Sequence, residues 1–201
     1  MELFGSKFCP FYRALKLLSF ERMFEFFSDD NYLKYLYMPL LIDNDRKMCG
    51  FLAVAEWITR FDTNKDMDRL WSFKLLTELW PLGASPVLSH RILRHIIADG
   101  TGYPDNVKVR EARREVQRNL LNVNEYLQEN MYLGEQFGAS DALLAAMISL
   151  LDYVSEIDWS HYPDLGRWYM SIKGRPGFNF IIKSKIAGLA ASTQYVQIDF
   201  M

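Results

Sequence analysis

MELFGSKFCPFYRALKLLSF, residues 1–20, is the stretch whose reading decides the fold. Met1 to Phe4 is short and apolar and is closed by Gly5 and Ser6, the pattern of a strand and a turn. Pro10 stands where a helix begins, because its fixed φ and missing N–H suit the first helical turn. From Phe11 to Phe20 the apolar residues Phe11, Leu15, Leu17 and Leu18 share one face, with Arg13 and Lys16 predicted outside it. Cys9 falls between strand and helix. A thiol there faces unpaired N–H groups and the positive end of the helix, both of which favour the reactive thiolate. The alternative is a packed, inert cysteine. Tyr12 occupies the place where a second cysteine would complete a dithiol pair, so a two-thiol redox cycle is not expected.

Reading outward, Phe24, Phe26 and Phe27 form a second strand candidate, broken by Asp29, Asp30 and Asn31. A third, Leu40 to Ile42, is entered through Met38-Pro39. Asp43-Asn44-Asp45 is a hairpin signal, since these side chains bond locally and tolerate left-handed backbone. Lys47 to Cys49 returns, Gly50 punctuates, and Phe51 to Thr59 reads as a helix with Leu52, Ala55 and Ile58 on one face. The order β-α-β, connection, β-β-α is the thioredoxin-like one. Phe61 to Met67 is a polar linker. Beyond it no strand is predicted. Arg69 to Leu79 is helical, Pro81-Leu82-Gly83 interrupts, and Val87 to Ala98 resumes. Val107 to Tyr132 has apolar residues at steps of three and four, the strongest helical pattern in the chain. Asp141 to Val154 is apolar on most sides and is expected to be buried. Pro163 to Lys173 and Phe178 to Lys183 are further helices. The expected architecture is therefore an α/β thioredoxin-like domain at 1–60, a linker at 61–67, an all-α domain at 68–186 and a tail at 187–201.

Composition narrows the function classes. The 201 residues are 50% hydrophobic and 24% charged, with a net charge of −2. Such a balance gives no bulk attraction to nucleic acid or an anionic membrane. The N-terminus lacks the pattern of a secretory signal, and no apolar run approaches the ~20 residues of a spanning helix. Two cysteines cannot build a disulfide framework, which points to reduced thiols and a cytoplasmic protein. Three histidines without carboxylate or thiol spacing make no metal site.

The strand, the Cys9-Pro10-Phe11 helix start, Met38-Pro39-Leu40 and the helical second half, in this order, resemble the glutathione S-transferase superfamily. The resemblance implies a glutathione site in which the backbone before Pro39 pairs with the bound thiol peptide. It implies two alternative catalytic positions: Cys9, as in the cysteine-bearing classes, or Tyr12, if Phe11-Tyr12-Arg13 stands for a Phe-Ser-Arg pattern. The site looks degenerate. Where transferases place an acidic residue and a serine on the glutamyl end of glutathione, this sequence has Gly50-Phe51. Two charge-assisted contacts of roughly 1.5–3 kcal/mol each would be missing, a loss on the order of a hundredfold or more in affinity. Glutathione binding, with Met38, Pro39, Gly50 and Phe51 as the remnant site, is thus expected to be weak or lost, and no cofactor is expected. The family's capping box on the central helix keeps Asp141 but has Gly138 for the hydroxyl, so a weakened cap is expected.

The last fifty residues are more specific. Asp158-Trp159, Tyr162-Pro163, Trp168-Tyr169, Lys173-Gly174-Arg175-Pro176, Ala187-Gly188-Leu189 and the terminal Tyr195 and Ile198-Asp199-Phe200 resemble the bacterial FtsZ-localised transferase-like proteins. That branch implies a cell-division protein at the division site that binds FtsZ and does not need glutathione chemistry. The rival expectation is a cysteine-type glutathione transferase acting on small electrophiles. Tyr195, Ile198, Asp199 and Phe200 read either as a tail packed back on the helices or as a linear motif for a partner. Arg110, Arg114 and Arg118 form a stripe at steps of four, either a solvated face with Glu111 and Glu115 or the wall of an acidic partner's groove. A homodimer is expected, with Leu70, Trp71, Phe73 and Leu76 supplying surplus apolar surface.

Overall fold

A computed structural model describes residues 1–23, 27–29, 39–59, 66–93, 106–186 and 188–196. The front of the chain builds a four-stranded sheet. Strand β1 (Glu2–Phe4) is followed by helix α1 (Pro10–Glu21), then β2 (Phe27–Asp29), β3 (Leu40–Asp43), β4 (Arg46–Cys49) and helix α2 (Phe51–Ile58). The strand order is β2-β1-β3-β4. β1 pairs parallel with β2 and antiparallel with β3, with Leu3 opposite Leu41. The β3–β4 hairpin turns at Asn44, whose φ of 53° is the left-handed backbone expected of Asn. This is the predicted β-α-β, β-β-α order. In α2 the buried residues are Phe51, Val54, Ala55 and Ile58, while Leu52 is exposed, contrary to the sequence reading.

The rest is helical: α3 (Asp66–Lys74), α4 (Ser85–Leu88), α5 (Asn106–Tyr126), α6 (Ala139–Tyr153), α7 (Pro163–Lys173), α8 (Asn179–Lys183) and α9 (Thr193–Val196). Helix α3 begins at Asp66, inside the predicted linker at 61–67; residues 61–65 of that linker lie outside the described residues. The predicted break at Pro81 does not occur. Helical winding continues from α3 through Leu75–Ala84 into α4, widened to five-residue hydrogen-bond steps, and on to Ser89–Leu93. A wide turn accommodates Pro81, which has no N–H to donate. Gly83 is needed here for close approach: a Cβ would lie 2.9 Å from Cγ2 of Val116 on α5. Helix α5 ends at Tyr126, six residues earlier than its apolar pattern suggests.

Every residue of α6 is buried, as its composition predicts. It is the axis of the molecule. α1 lies along it, so sheet and helices share one hydrophobic core rather than two. Arg13, predicted to face outward, is instead fully buried at this junction. Its Nε donates to Lys7 O at 2.6 Å and its Nη1 to Ser149 Oγ on α6 at 2.9 Å.

Two helices that lack a capping side chain of their own are capped from elsewhere. Gly138 offers no side chain at the start of α6, but Asp68 of α3 accepts from Ala139 N at 3.1 Å, Ser140 N at 2.8 Å and Ser140 Oγ at 2.5 Å. A Cβ on Gly138 would lie 2.5 Å from Asp68 Oδ1. The glycine makes room for a cap borrowed from another helix, so the expected weakened cap is a relocated one. Likewise Asn124 of α5 accepts from Asp164 N and Leu165 N, both at 3.0 Å, at the start of α7.

Candidate functional site

Cys9 is the residue before α1, in extended conformation, with Pro10 opening the helix. Its own N–H donates to Ser6 O at 2.8 Å, which folds the turn after β1 under the helix start. The thiol faces the first helical N–H groups as expected, but it is only 3% exposed. Burial pushes it up to about 11, against the N–H groups of Tyr12 and Phe11 and the nearby charge of Arg13, which pull the other way. Desolvation therefore outweighs the helix terminus. A thiol with that value is protonated at neutral pH. We expect one equivalent of iodoacetamide per chain at pH 7.5, on exposed Cys49, with Cys9 modified only in denaturant. Peptide mass mapping checks this; rapid native labelling of Cys9 would contradict it.

The other aligned candidate, Tyr12, is fully buried. Its ring packs 6.0 Å from that of Phe180 and against Gly5, where a Cβ would come within 2.4 Å of Cδ2. Neither candidate presents a nucleophile to solvent.

The residues that the sequence resemblance assigns to a remnant glutathione site are described in part. Pro39 is buried and its carbonyl accepts from Gly50 N at 3.1 Å, which ties the start of β3 to the start of α2. Met38 lies outside the described residues. Gly50 holds φ +88°, a backbone favouring glycine, and caps α2 with no side chain. Phe51, which the sequence resemblance sets against a serine of the transferases, is 4% exposed. Its ring lies 6.3 Å from that of Phe11, which meets Trp80 edge-on at 5.0 Å. Phe51 thus belongs to an aromatic trio joining α1, α2 and the wide-wound helix.

The tail is bolted down as far as α9. Tyr195 is buried, donates to Ile181 O at 2.7 Å, receives Arg13 Nη1 at 3.5 Å and stacks edge-on to Tyr153 at 4.9 Å. Ser192 N donates to Tyr153 O at 2.9 Å, and Lys173 Nζ to Gln194 O at 3.3 Å. The Tyr195 side chain is spent on this anchorage rather than offered outward. Ile198, Asp199 and Phe200 lie outside the described residues. In the arginine stripe, Arg110 and Arg114 are exposed and Arg118 pairs with Glu115 at 2.5 Å. Their neighbour Arg113 grips Glu156 through two bonds of 2.7 and 2.8 Å. The sequence reading missed that pair because 43 residues separate its members.

Comparisons with known proteins place the architecture. No protein-family model matches the chain. Glutathione S-transferases of solved structure from Sinorhizobium meliloti and Rhodospirillum rubrum superpose with TM-scores of 0.87 and 0.89, at 23% and 18% identity, each covering 99% of both chains. The structure titled FzlA from C. crescentus covers 100% of both chains with a TM-score of 0.84 and 20% identity. The chain therefore has the glutathione-transferase fold. In sequence, it is 31% identical over 100 residues to FtsZ-localized protein A of Caulobacter vibrioides, a match spanning 49% of this chain and 44% of that protein. Among the described residues, no helix is long and apolar enough to cross a membrane.

Proposed function

We propose that this chain is a non-catalytic interaction protein of bacterial cell division, built on the glutathione-transferase fold, that associates with FtsZ filaments in the cytoplasm at the division site. The observation that carries the reading is the 31% identity over 100 residues to FtsZ-localized protein A. The sealed front domain supports its non-catalytic half: Cys9 buried and protonated, Tyr12 enclosed, Phe51 in an aromatic cluster. The anchored Tyr195 supports a role for the residues beyond it, because a linear motif that starts from a fixed point loses less freedom on docking. The stripe of Arg110, Arg114 and Arg118 is the second candidate contact. Co-sedimentation with FtsZ filaments tests the reading.

The rival, a cysteine-type glutathione transferase, is favoured by the retention of Cys9 at a helix start and of Pro39 at the entry to β3. Calorimetric titration separates the two. No saturable heat is expected with millimolar glutathione; binding that vanishes in Cys9→Ala would support the enzyme instead.

A homodimer belongs to the same proposal. Leu70 and Phe73 on α3 are 61% and 60% exposed and Met67 is also open, whereas Trp71, expected in the same patch, is buried and Leu76 half-buried. Carbon-rich side chains grouped this way on one helix favour a subunit contact. Light scattering at micromolar concentration should give twice the chain mass of 23.6 kDa, and Leu70→Asp with Phe73→Asp should give the single mass.

A further inference from the structure

Val87 at α4 and Val116 on α5 form the apolar sides of a cleft of about 60 Å³, completed by Arg113, Gln117 and Glu156. Glu156 is the hub. Its side chain is only 9% exposed and is held by Arg113 and by Arg91, whose Nε lies 3.2 Å from Oε1. Arg91 Nη2 also donates to Val154 O at 3.0 Å. Both guanidinium groups are therefore fixed before any ligand arrives. Each uses Nε and Nη2, and Nη1 of each makes no bond among the described residues. Both side chains remain substantially open, at 45% for Arg91 and 43% for Arg113.

Two positive charges against one buried carboxylate leave the cluster with an excess of one. At 100° per residue, Gln117 and Arg110 sit about 40° and 60° round α5 from Arg113, and Arg114 about 100°. Glu111 lies about 160° away, on the other side of the helix, and Glu115 is neutralised by Arg118. Among the described residues the face around the cleft is thus positive, while the chain as a whole carries −2.

We propose that this cleft docks a carboxylate side chain of an acidic peptide segment of a partner protein. Nη1 of Arg113, which lines the cleft, receives the carboxylate, Val87 and Val116 take an adjoining apolar side chain, and Arg91, Arg110 and Arg114 add positive charge nearby. Fork-shaped donors already held in position suit a planar carboxylate better than a mobile ammonium would. The inference does not depend on the division reading, and its test contains no FtsZ.

The full chain is titrated, with fluorescence anisotropy as readout, against a labelled peptide of alternating glutamate and leucine in about 50 mM salt, where surface charge acts with little screening. Saturable binding is expected, weakened about tenfold by Arg113→Gln and to a similar degree by Arg110→Glu with Arg114→Glu, and falling as salt rises. The second variant touches no bonded residue among those described, so its fold is secure if the first one's is not. A glutamine-for-glutamate peptide should not bind. No saturable binding, equal affinity for the glutamine peptide, or indifference to both variants each overturns the proposal.

Discussion

Arg13→Ala is expected to lower the free energy of unfolding by about 3–5 kcal/mol, the range of a long buried side chain lost together with its hydrogen bonds. Arg13 is among the largest fully buried side chains and lies where α1 meets α6. Removing it strands the carbonyl of Lys7, weakens the hold on Ser149, whose hydroxyl still donates to Ala146 O at 2.7 Å, and withdraws one neighbour of the Tyr195 hydroxyl. It also opens a void between two elements that share a core. Arg13→Lys should recover part of the loss, because one ammonium cannot reach all three acceptors from a single point. Tyr195→Phe should cost less, about 1 kcal/mol, for the bond to Ile181 O. Urea unfolding of the four proteins measures the series. Hydrogen exchange should show the amide of Ser192 less protected in Arg13→Ala, since the bond to Tyr153 O is part of the same anchorage. An Arg13→Ala protein as stable as the parent would mean that the junction is not held as described.

The second large effect is at Asp141. Its Oδ1 accepts from Leu133 N at 3.0 Å and Trp168 Nε1 at 3.1 Å, and its Oδ2 from Gly138 N at 3.2 Å. Asp141→Ala leaves three buried donors unpaired and should cost about 3–5 kcal/mol, at about 1–3 kcal/mol for each unmet group with partial relaxation. Asp141→Asn keeps the bonds to one oxygen but turns an amide N–H toward Gly138 N, so about half of that loss is expected.

The two variants also differ in pH dependence. Burial pushes the Asp141 carboxyl from 3.8 up to about 7, opposed by its three donors and assisted slightly by the charge of Asp68. The folded state therefore holds a proton that the unfolded state releases. This contribution to stability is complete below about pH 4 and is lost as pH rises through about 7, at up to about 1.4 kcal/mol per pH unit. Asparagine does not titrate. The stability of the parent relative to Asp141→Asn should fall steadily from pH 4 to pH 7, a comparison in which the other titrating groups cancel. A constant gap would show that Asp141 ionises normally in the fold.

What the sequence made legible was local. The strand-turn-proline start of α1, the hairpin at Asn44, the limits of α7 at Pro163 and Lys173 and the burial of α6 each follow from a few neighbouring residues, and the structure places them there. What it hid depends on partners distant in sequence. Arg13 reads as solvent-facing by periodicity, because nothing near it announces that Ser149 waits across the junction. Gly138 reads as a poor cap, because Asp68 lies 70 residues earlier, and it is the carboxylate of α3 that makes the glycine necessary. Pro81 reads as a break, although winding can widen around it. At the candidate site, Cys9 illustrates a contest of magnitudes. Its position at the helix start is visible in the sequence and favours the thiolate, but the burial that outweighs it comes from the packing of the whole front domain. That Gly50-Phe51 carries neither a carboxylate nor a hydroxyl was legible directly; that Phe51 joins Phe11 and Trp80 was not.

We propose that this fold serves assembly rather than chemistry, and co-sedimentation of the purified chain with polymerised FtsZ tests that most directly. The account predicts that the chain pellets with filaments, that deleting residues 197–201 abolishes this without lowering stability, and that Cys9→Ala leaves it unchanged. A chain that stays in the supernatant with FtsZ filaments, or one whose pelleting is indifferent to the tail and to Arg110, Arg114 and Arg118 alike, would contradict it.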